Sequence, residues 1–284
     1  MHLLTTLADL RQWRRQQSST LGLVPTMGAL HAGHASLLRT ARAQCDIVVA
    51  SLFVNPLQFG PNEDLDRYPR TFDADCVLLQ SERVDALFAP SPAEMYPPGA
   101  ETLIDVPGIG SRLDGASRPG HFRGVATVVA KLFHLIQPHR AYFGQKDAAQ
   151  VAVLHAMVRD LNFDLDLIVC PTVRDADGLA LSSRNRYLSP VEREQALAIP
   201  AALQHISHTV AGGQHDATVL RDTLHQQLTQ SPGLRLDYAE LVNPDTLLPV
   251  ETVVPGTLVA VAAYLGSTRL IDNLILPTLP TESV

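Results

Sequence analysis

A short apolar run that leads through a glycine turn into two histidines constrains this chain more than any other feature. Leu21-Gly22-Leu23-Val24 reads as a buried strand, and Thr26-Met27-Gly28-Ala29-Leu30 supplies the turn. His31-Ala32-Gly33-His34 then opens a segment, Ala35 to Arg42, whose apolar spacing predicts an amphipathic helix. Strand, glycine turn and helix form the geometry that aims free backbone N–H groups and a positive dipole end at an anion. Two imidazoles three residues apart can face the same ligand. The pattern admits three readings: a nucleotide-phosphate site with histidine donors, an ordinary helix start, or half of a metal site.

Strand-like and helix-like segments continue to alternate beyond it. Asp46 to Val54 is continuously apolar, as in a strand buried on both faces. Phe72 to Ser81 reads as a helix, Asp85 to Pro90 as a strand, Gly124 to Gln137 as a helix and Arg140 to Gly144 as a strand edge. Ala148 to Leu161 is helical in spacing, and Leu165 to Cys170 is a further strand. Such alternation predicts an α/β fold, a Rossmann-like parallel sheet with helices on both faces, over residues 1–175. After Asp175-Ala176-Asp177-Gly178 the pattern changes. Pro190 to Val210 and His215 to Gln230 read as two helices around Gly212-Gly213, followed by strands at 236–242, 258–265 and 270–275. Residues 176–284 are therefore expected to form a smaller α+β domain, a lid hinged near Asp177-Gly178, with a loose tail from Pro277 to Val284.

Open parallel sheets bind ligands at the carboxyl ends of their strands, so the loops there matter most. Asn55 and Gln58 offer neutral amides in a proline- and glycine-broken loop that runs to Arg70. Gly144-Gln145-Lys146-Asp147 leads into a helix carrying Gln150; Lys146 suits a phosphate, and Asp147 suits either a helix cap or a ribose hydroxyl. The stretch from Pro171 through Val173 and Leu181-Ser182-Ser183-Arg184 is donor-rich, as a polyphosphate site or a surface turn would be. Asp114 to Gly124 is too polar and glycine-rich for a core and reads as a lid or interface loop. No G-x-x-x-x-G-K-[ST] or G-x-S-x-G pattern is present, and Gly108-Ile109-Gly110 lacks the third glycine of a dinucleotide fingerprint.

Composition narrows the partners. A net charge of −7 argues against nucleic acid, while a local basic pocket for a small anion remains compatible with it. Cys45, Cys76 and Cys170 are odd in number, widely spaced and set in apolar segments, so they read as buried thiols. The N-terminus lacks a signal-peptide pattern and no apolar run approaches the roughly 20 residues of a membrane span, so a reducing cytoplasm is expected.

Taken in order, these blocks resemble the pantoate–β-alanine ligase family of the H-x-G-H nucleotidylyltransferase superfamily. The resemblance covers Val24 to His34, Phe53 to Arg70, Arg118 to Lys131, Tyr142 to Gln150 and Pro171 to Leu188. It implies ATP-dependent condensation of pantoate with β-alanine through a pantoyl-adenylate, releasing AMP and pyrophosphate, in a cytoplasmic homodimer with Mg²⁺ on the ATP phosphates and no assigned protein ligand for it. It implies that Met27, Gly28, Ala29, Leu30, His31, Ala32, Gly33 and His34 contact ATP. Gly144, Gln145, Lys146, Asp147, Val173, Leu181, Ser182, Ser183 and Arg184 would hold the adenosine and phosphates. Asn55, Gln58 and Gln150 would meet pantoate or β-alanine, and His31, His34, Lys146 and Arg184 would carry the chemistry. Leu181 stands where the family commonly has methionine, and Asp114 where glutamate is frequent. Two other readings are weaker. A transferase moving AMP onto a phosphate-bearing acceptor would want cations in place of Gln58 and Gln150. A nucleotide sensor or tRNA-related binding module would favour a basic appendage, which residues 185–284 do not form.

Overall fold

The computed structural model describes residues 1–61, 63 and 65–277. The chain runs β1 (His2–Leu4), α1 (Leu7–Arg14), β2 (Leu21–Thr26), α2 (Ala32–Gln44), β3 (Ile47–Leu52), α3 (Phe72–Ser81) and β4 (Ala86–Phe88). Three short turns of helix follow, α4 (Pro92–Met95), α5 (Pro107–Gly110) and α6 (Asp114–Ser117), then α7 (His121–Ile136), β5 (Arg140–Gly144), α8 (Ala148–Asp160) and β6 (Asp166–Cys170). The remainder is α9 (Pro190–Ala196), α10 (Ala198–Ala211), α11 (Ala217–Thr229), β7 (Leu234–Val242), β8 (Leu258–Leu265) and β9 (Thr268–Ile275).

The first six strands form one parallel sheet in the order β1-β4-β3-β2-β5-β6, and the last three an antiparallel sheet β7-β8-β9. Strand side chains alternate between faces, and the packing follows that period. Leu21, Leu23, Val49, Ala86, Phe88, Ala141 and Phe143 pack with α1, α7 and α8 on one face. Val24, Val48, Ala50, Leu87 and Tyr142 pack with α2 and α3 on the other. Both faces being covered is why β3 reads as an unbroken apolar run.

Several expectations need correction. Arg140–Gly144 is an interior strand between β2 and β6, because its neighbours in space come from distant sequence; the sheet's edges are β1 and β6. The helix expected from Gly124 begins at His121, whose side chain lines the cleft. The single helix expected over Pro190–Val210 is two, meeting at Leu197. Pro200 lies in the first turn of α10, where its missing N–H costs nothing but could not continue α9. Cys45 and Cys170 are buried, whereas Cys76 is half-buried on α3. The Asp114–Gly124 stretch, expected as a lid or an interface loop, meets the second sheet through its first residue. Asp114 is buried and accepts from Arg269 Nη1 at 2.6 Å and from the Tyr238 hydroxyl at 3.1 Å, sealing the seam to the second sheet. Residues 278–284 of the expected loose tail lie outside the described residues.

The seam is apolar as well: Val242, Leu247, Leu258 and Ala260 belong to the same cluster as Leu113, Phe122 and α8. A second cluster joins α9, α10 and α11 to the other face of β7–β9. Packing is close where α7 meets the Pro56–Gln58 turn. A Cβ on Gly124 would stand 2.2 Å from the Leu57 carbonyl oxygen and 2.6 Å from Gln58 N. Gly124→Ala is expected to lower stability by about 1–3 kcal/mol through this overpacking, visible as a fall in the thermal unfolding midpoint by circular dichroism.

Candidate active site

Strand order reverses between β2 and β5, with β3 and β4 on one side and β6 on the other. The two strands pair only at Gly22↔Arg140 and Leu23↔Ala141. Beyond that, β2 keeps to β3 as far as Thr26↔Leu52, and β5 keeps to β6 as far as Gly144↔Cys170. Their divergence opens a cavity of about 250 Å³ at the carboxyl ends of the strands. A wider cavity of about 530 Å³ continues from it and shares Arg118, His121, Lys146, Asp147, Gln150 and Arg184.

The histidine motif is a helix cap made of imidazoles. His31 Nδ1 accepts from Gly33 N at 3.1 Å, and His34 Nδ1 accepts from His31 N at 3.3 Å, with the ring centroids 4.2 Å apart. Gly33 is required by this packing, since a Cβ there would lie 2.8 Å from the His31 ring. A backbone N–H only donates, so both Nδ1 atoms are acceptors and each neutral ring carries its proton on Nε2. Burial, then His31, hold the His34 pKa down to about 3. Burial, then the charges of Lys146 and Arg186, lower that of His31. The pair therefore presents neutral Nε2–H donors to the cavity.

The turn before the motif departs from the sequence reading. Its N–H groups are not free: Ala29 N and Leu30 N donate to the two oxygens of Asp75 at 3.0 and 2.8 Å, and Gly28 N donates to Thr26 Oγ1 at 3.3 Å. Asp75 is 2% exposed and also accepts from Thr71 Oγ1. The protein's own carboxylate thus occupies the place where a ligand anion was expected, and it holds Gly28 and Ala29 at φ values of 88° and 52°. Asp75 stands in the first turn of α3 and belongs to no motif that would mark it in the sequence.

The amide site is equally pre-set. Asn55 is 1% exposed, and its hydrogen-bonding capacity is filled: Nδ2 donates to Gln58 Oε1 and Gly124 O, while Oδ1 accepts from Leu57 N and the Tyr96 hydroxyl. Among the described residues Gln58 Nε2 meets only the Met27 thioether, at 2.8 Å, an acceptor weak enough to be displaced by a ligand oxygen. Arg118 pairs with Glu63 at 2.6 Å and donates to His121 Nε2, so His121 Nδ1 donates to Gln58 O at 2.8 Å. Burial and Arg118 lower the His121 pKa to about 4. Arg118, Glu63 and His121 were not marked as site residues from the sequence.

Lys146 lies on the Gln145–Asp147 turn, its Nζ 4.0 Å from Asp147. Ser182 Oγ accepts from Arg184 N, which starts the Ser183–Tyr187 turn. Met27, His31, Gly33, His34, Asn55, Gln58, Gly144, Lys146, Asp147, Gln150, Val173, Leu181, Ser182, Ser183 and Arg184 all border the smaller cavity. Gly28, Ala29, Leu30, Ala32 and Gln145 do not; they shape its walls from behind. Two buried hydroxyl oxygens on its surface, Ser51 Oγ and Thr172 Oγ1, have no hydrogen-bond partner among the described residues. Phe53, Val125, Val128 and Leu132 make one wall apolar.

The family model for pantoate-β-alanine ligase matches residues 2–275. A pantothenate synthetase of Koribacter versatilis is 56% identical over 279 residues, 97% of this chain and 96% of that protein. The crystal structure of pantothenate synthetase from Thermus thermophilus superimposes with a TM-score of 0.93 at 47% identity, covering 98% of this chain and 100% of that one. A Francisella tularensis pantoate-β-alanine ligase, complexed with β,γ ATP and β-alanine, gives 0.80 at 35% identity over 99% and 100% of the chains.

Two outcomes are expected from this geometry. Asp75→Asn should cost about 1–3 kcal/mol of stability, because an amide cannot accept from both backbone N–H groups, measured by urea unfolding. An unfolded histidine binds its proton near pH 6.5, whereas His34 and His121 do so only near 3 and 4 when folded. Across that window the unfolded chain holds more protons, so stability falls as pH drops below 6.5. Replacing His121 with Gln should flatten this acid limb in thermal melts taken from pH 7 to 4.

Proposed function

Because the chain belongs to the pantoate–β-alanine ligase family, we propose that this cleft activates pantoate with ATP and joins it to β-alanine, releasing AMP and pyrophosphate. The observation that carries the reading is the convergence of His31, His34, Lys146 and the Ser182–Arg184 turn on one cavity that the amides Gln58 and Gln150 also line. Cations and N–H donors suit a triphosphate, and uncharged amides suit the hydroxyl groups of pantoate. The apolar wall at Phe53, Val125 and Val128 suits its two methyl groups.

In the first step the pantoate carboxylate attacks the α-phosphorus of ATP and pyrophosphate leaves. Two anions must approach, so catalysis is positioning and charge stabilisation. His31 and His34 donate through Nε2–H without adding like charge to Lys146 and Arg184, and those two cations balance the charge that moves onto the leaving group. Met27 through His34 and Gly144 through Asp147 form the nucleotide cradle, with Gly28, Ala29 and Leu30 setting its shape; Val173, Leu181, Ser182 and Ser183 complete it. In the second step the neutral amine of β-alanine attacks the acyl carbon of the pantoyl-adenylate and AMP departs. No side-chain nucleophile is needed. Gln58, held by Asn55, and Gln150 orient pantoate, and the apolar wall limits hydrolysis of the mixed anhydride.

Among the described residues no three His, Cys, Asp or Glu side chains cluster as a metal cage. Among the described residues Asp147 is the acidic one lining the smaller cavity, its side chain 50% exposed. That donor set fits Mg²⁺ carried by the nucleotide, with Asp147 as its protein carboxylate; bound there, Mg²⁺ would neutralise phosphate charge. The same reading takes the protein as a cytoplasmic homodimer, with residues 1–175 as the nucleotide- and pantoate-binding domain and 176–284 as its lid. No described helix is long and apolar enough to cross a membrane.

Pyrophosphate release is the test. Sustained release should require ATP, Mg²⁺, pantoate and β-alanine together, with a stoichiometric burst when β-alanine is left out. Lys146→Ala and His34→Ala should each lower turnover by on the order of a hundredfold or more, His34→Ala with about 1 kcal/mol of lost stability because the helix cap goes with it. Absence of release with pantoate under all conditions would overturn the reading.

A further inference from the structure

Asp272 and Asn273, near the end of β9, stand between the two polar segments that converge on the cleft. Adjacent strand residues send their side chains to opposite faces, and here each face meets a different segment. Asn273 is 5% exposed. Its Nδ2 donates to the carbonyls of Gln145 and Lys146, both at 2.9 Å, and its Oδ1 accepts from Gln145 Nε2 at 3.1 Å. Asp272 is 3% exposed and accepts from both arms of the Arg174 guanidinium, at 2.6 and 2.9 Å. Arg174 opens the loop that returns through Ala180 to Ser182 and Arg184, and its Nη1 also donates to Gly178 O. Asn273 N donates to Asp272 Oδ1 at 2.8 Å, which links the two halves of the arrangement.

Nothing in the second sheet calls for these residue types. The ladder to β8 runs through Ala260↔Asn273 and Val261↔Asp272 by backbone alone. Burying a carboxylate and an amide is unfavourable unless every polar atom finds a partner, and here the partners belong to two loops that leave different strands, β5 and β6. We propose that Asp272 and Asn273 are positioning residues for the ligase reaction, a two-sided bracket that fixes the distance between Lys146 and the Ser182–Arg184 turn so that both reach one triphosphate. They touch no substrate and act through the backbone of Lys146 and through Arg174. The inference rests on the reading of Lys146 and Arg184 as phosphate ligands.

The test is steady-state kinetics of full-length N273A and D272N, with ATP and pantoate varied separately and pyrophosphate release followed. The bracket predicts a KM for ATP raised on the order of tenfold and a kcat lowered ten- to a hundredfold, with the KM for pantoate unchanged. The thermal midpoint falls, as it must when one partner of a buried network is removed, and the constants are therefore taken at a temperature where each variant is fully folded. N273S, which keeps a hydroxyl donor but is too short to bridge both carbonyls, should share the defect and serves if N273A folds poorly. Unchanged constants, or a kcat that falls only in step with the folded fraction while the KM for ATP stays put, overturn the bracket while wild-type turnover leaves the ligase reading intact. A wild-type enzyme that releases no pyrophosphate from ATP and pantoate instead overturns that reading, and the bracket falls with it.

Discussion

β2 and β5 are neighbours in a parallel sheet for only two residue pairs, and then each follows its other partner. A sheet that winds outward in both directions from its middle must have such a point, because the connections on either side lead the chain to opposite edges. The consequence is a gap floored by strand ends, with two loops from each flank reaching over it. The histidine motif leaves β2, the Asn55–Gln58 turn leaves β3, the lysine turn leaves β5 and the serine–arginine turn follows β6. Had the two strands stayed paired to their ends, these loops would have no common space to face.

The polar groups around that gap are largely satisfied without a ligand. Asp75 holds the turn, the two histidines cap their own helix, and Asn55 ties Gln58 to Gly124, Leu57 and Tyr96. Such a network costs little reorganisation when substrate arrives, which is the advantage of a preorganised site. What it leaves open is selective: the Nε2–H groups of His31 and His34, the weakly engaged Gln58 amide, and the hydroxyls of Ser51 and Thr172. Burial, with neighbouring charges behind it, keeps the imidazoles neutral, so they donate hydrogen bonds without competing with Lys146 for the role of cation.

The second sheet is more than a cover. Arg269 stays charged between Asp114 and Asp237, under the buried Tyr238 hydroxyl, and ties α6 to β7 and β9. Asn273 and Asp272 reach further, to the lysine turn and to Arg174. A shared apolar cluster backs these bonds. The C-terminal third is therefore part of the wall that shapes the cleft.

Local pattern determined a great deal. Apolar runs and 3.6-residue spacing located β3, α3, β5, α8 and β8 to within a few residues, and the glycine turn with its histidines marked one wall of the cleft. Segments whose character comes from contacts were illegible. β1 and α1 are short and half-polar, α7 starts in a stretch that looked like loop, and Pro200 split a helix whose apolar period ran on unbroken. Asp75, Arg118, His121 and Asn273 carry no motif of their own, because each acts on a partner 45 to 128 residues away. The sequence by itself thus determined the α/β class and the ligand-facing loops, since side-chain periodicity and turn chemistry are local properties of the chain. The tertiary structure alone decided which carboxylate fills the turn, which ring nitrogens carry protons and how the C-terminal sheet braces the lysine, since each depends on which distant donor and acceptor folding brings within 3 Å.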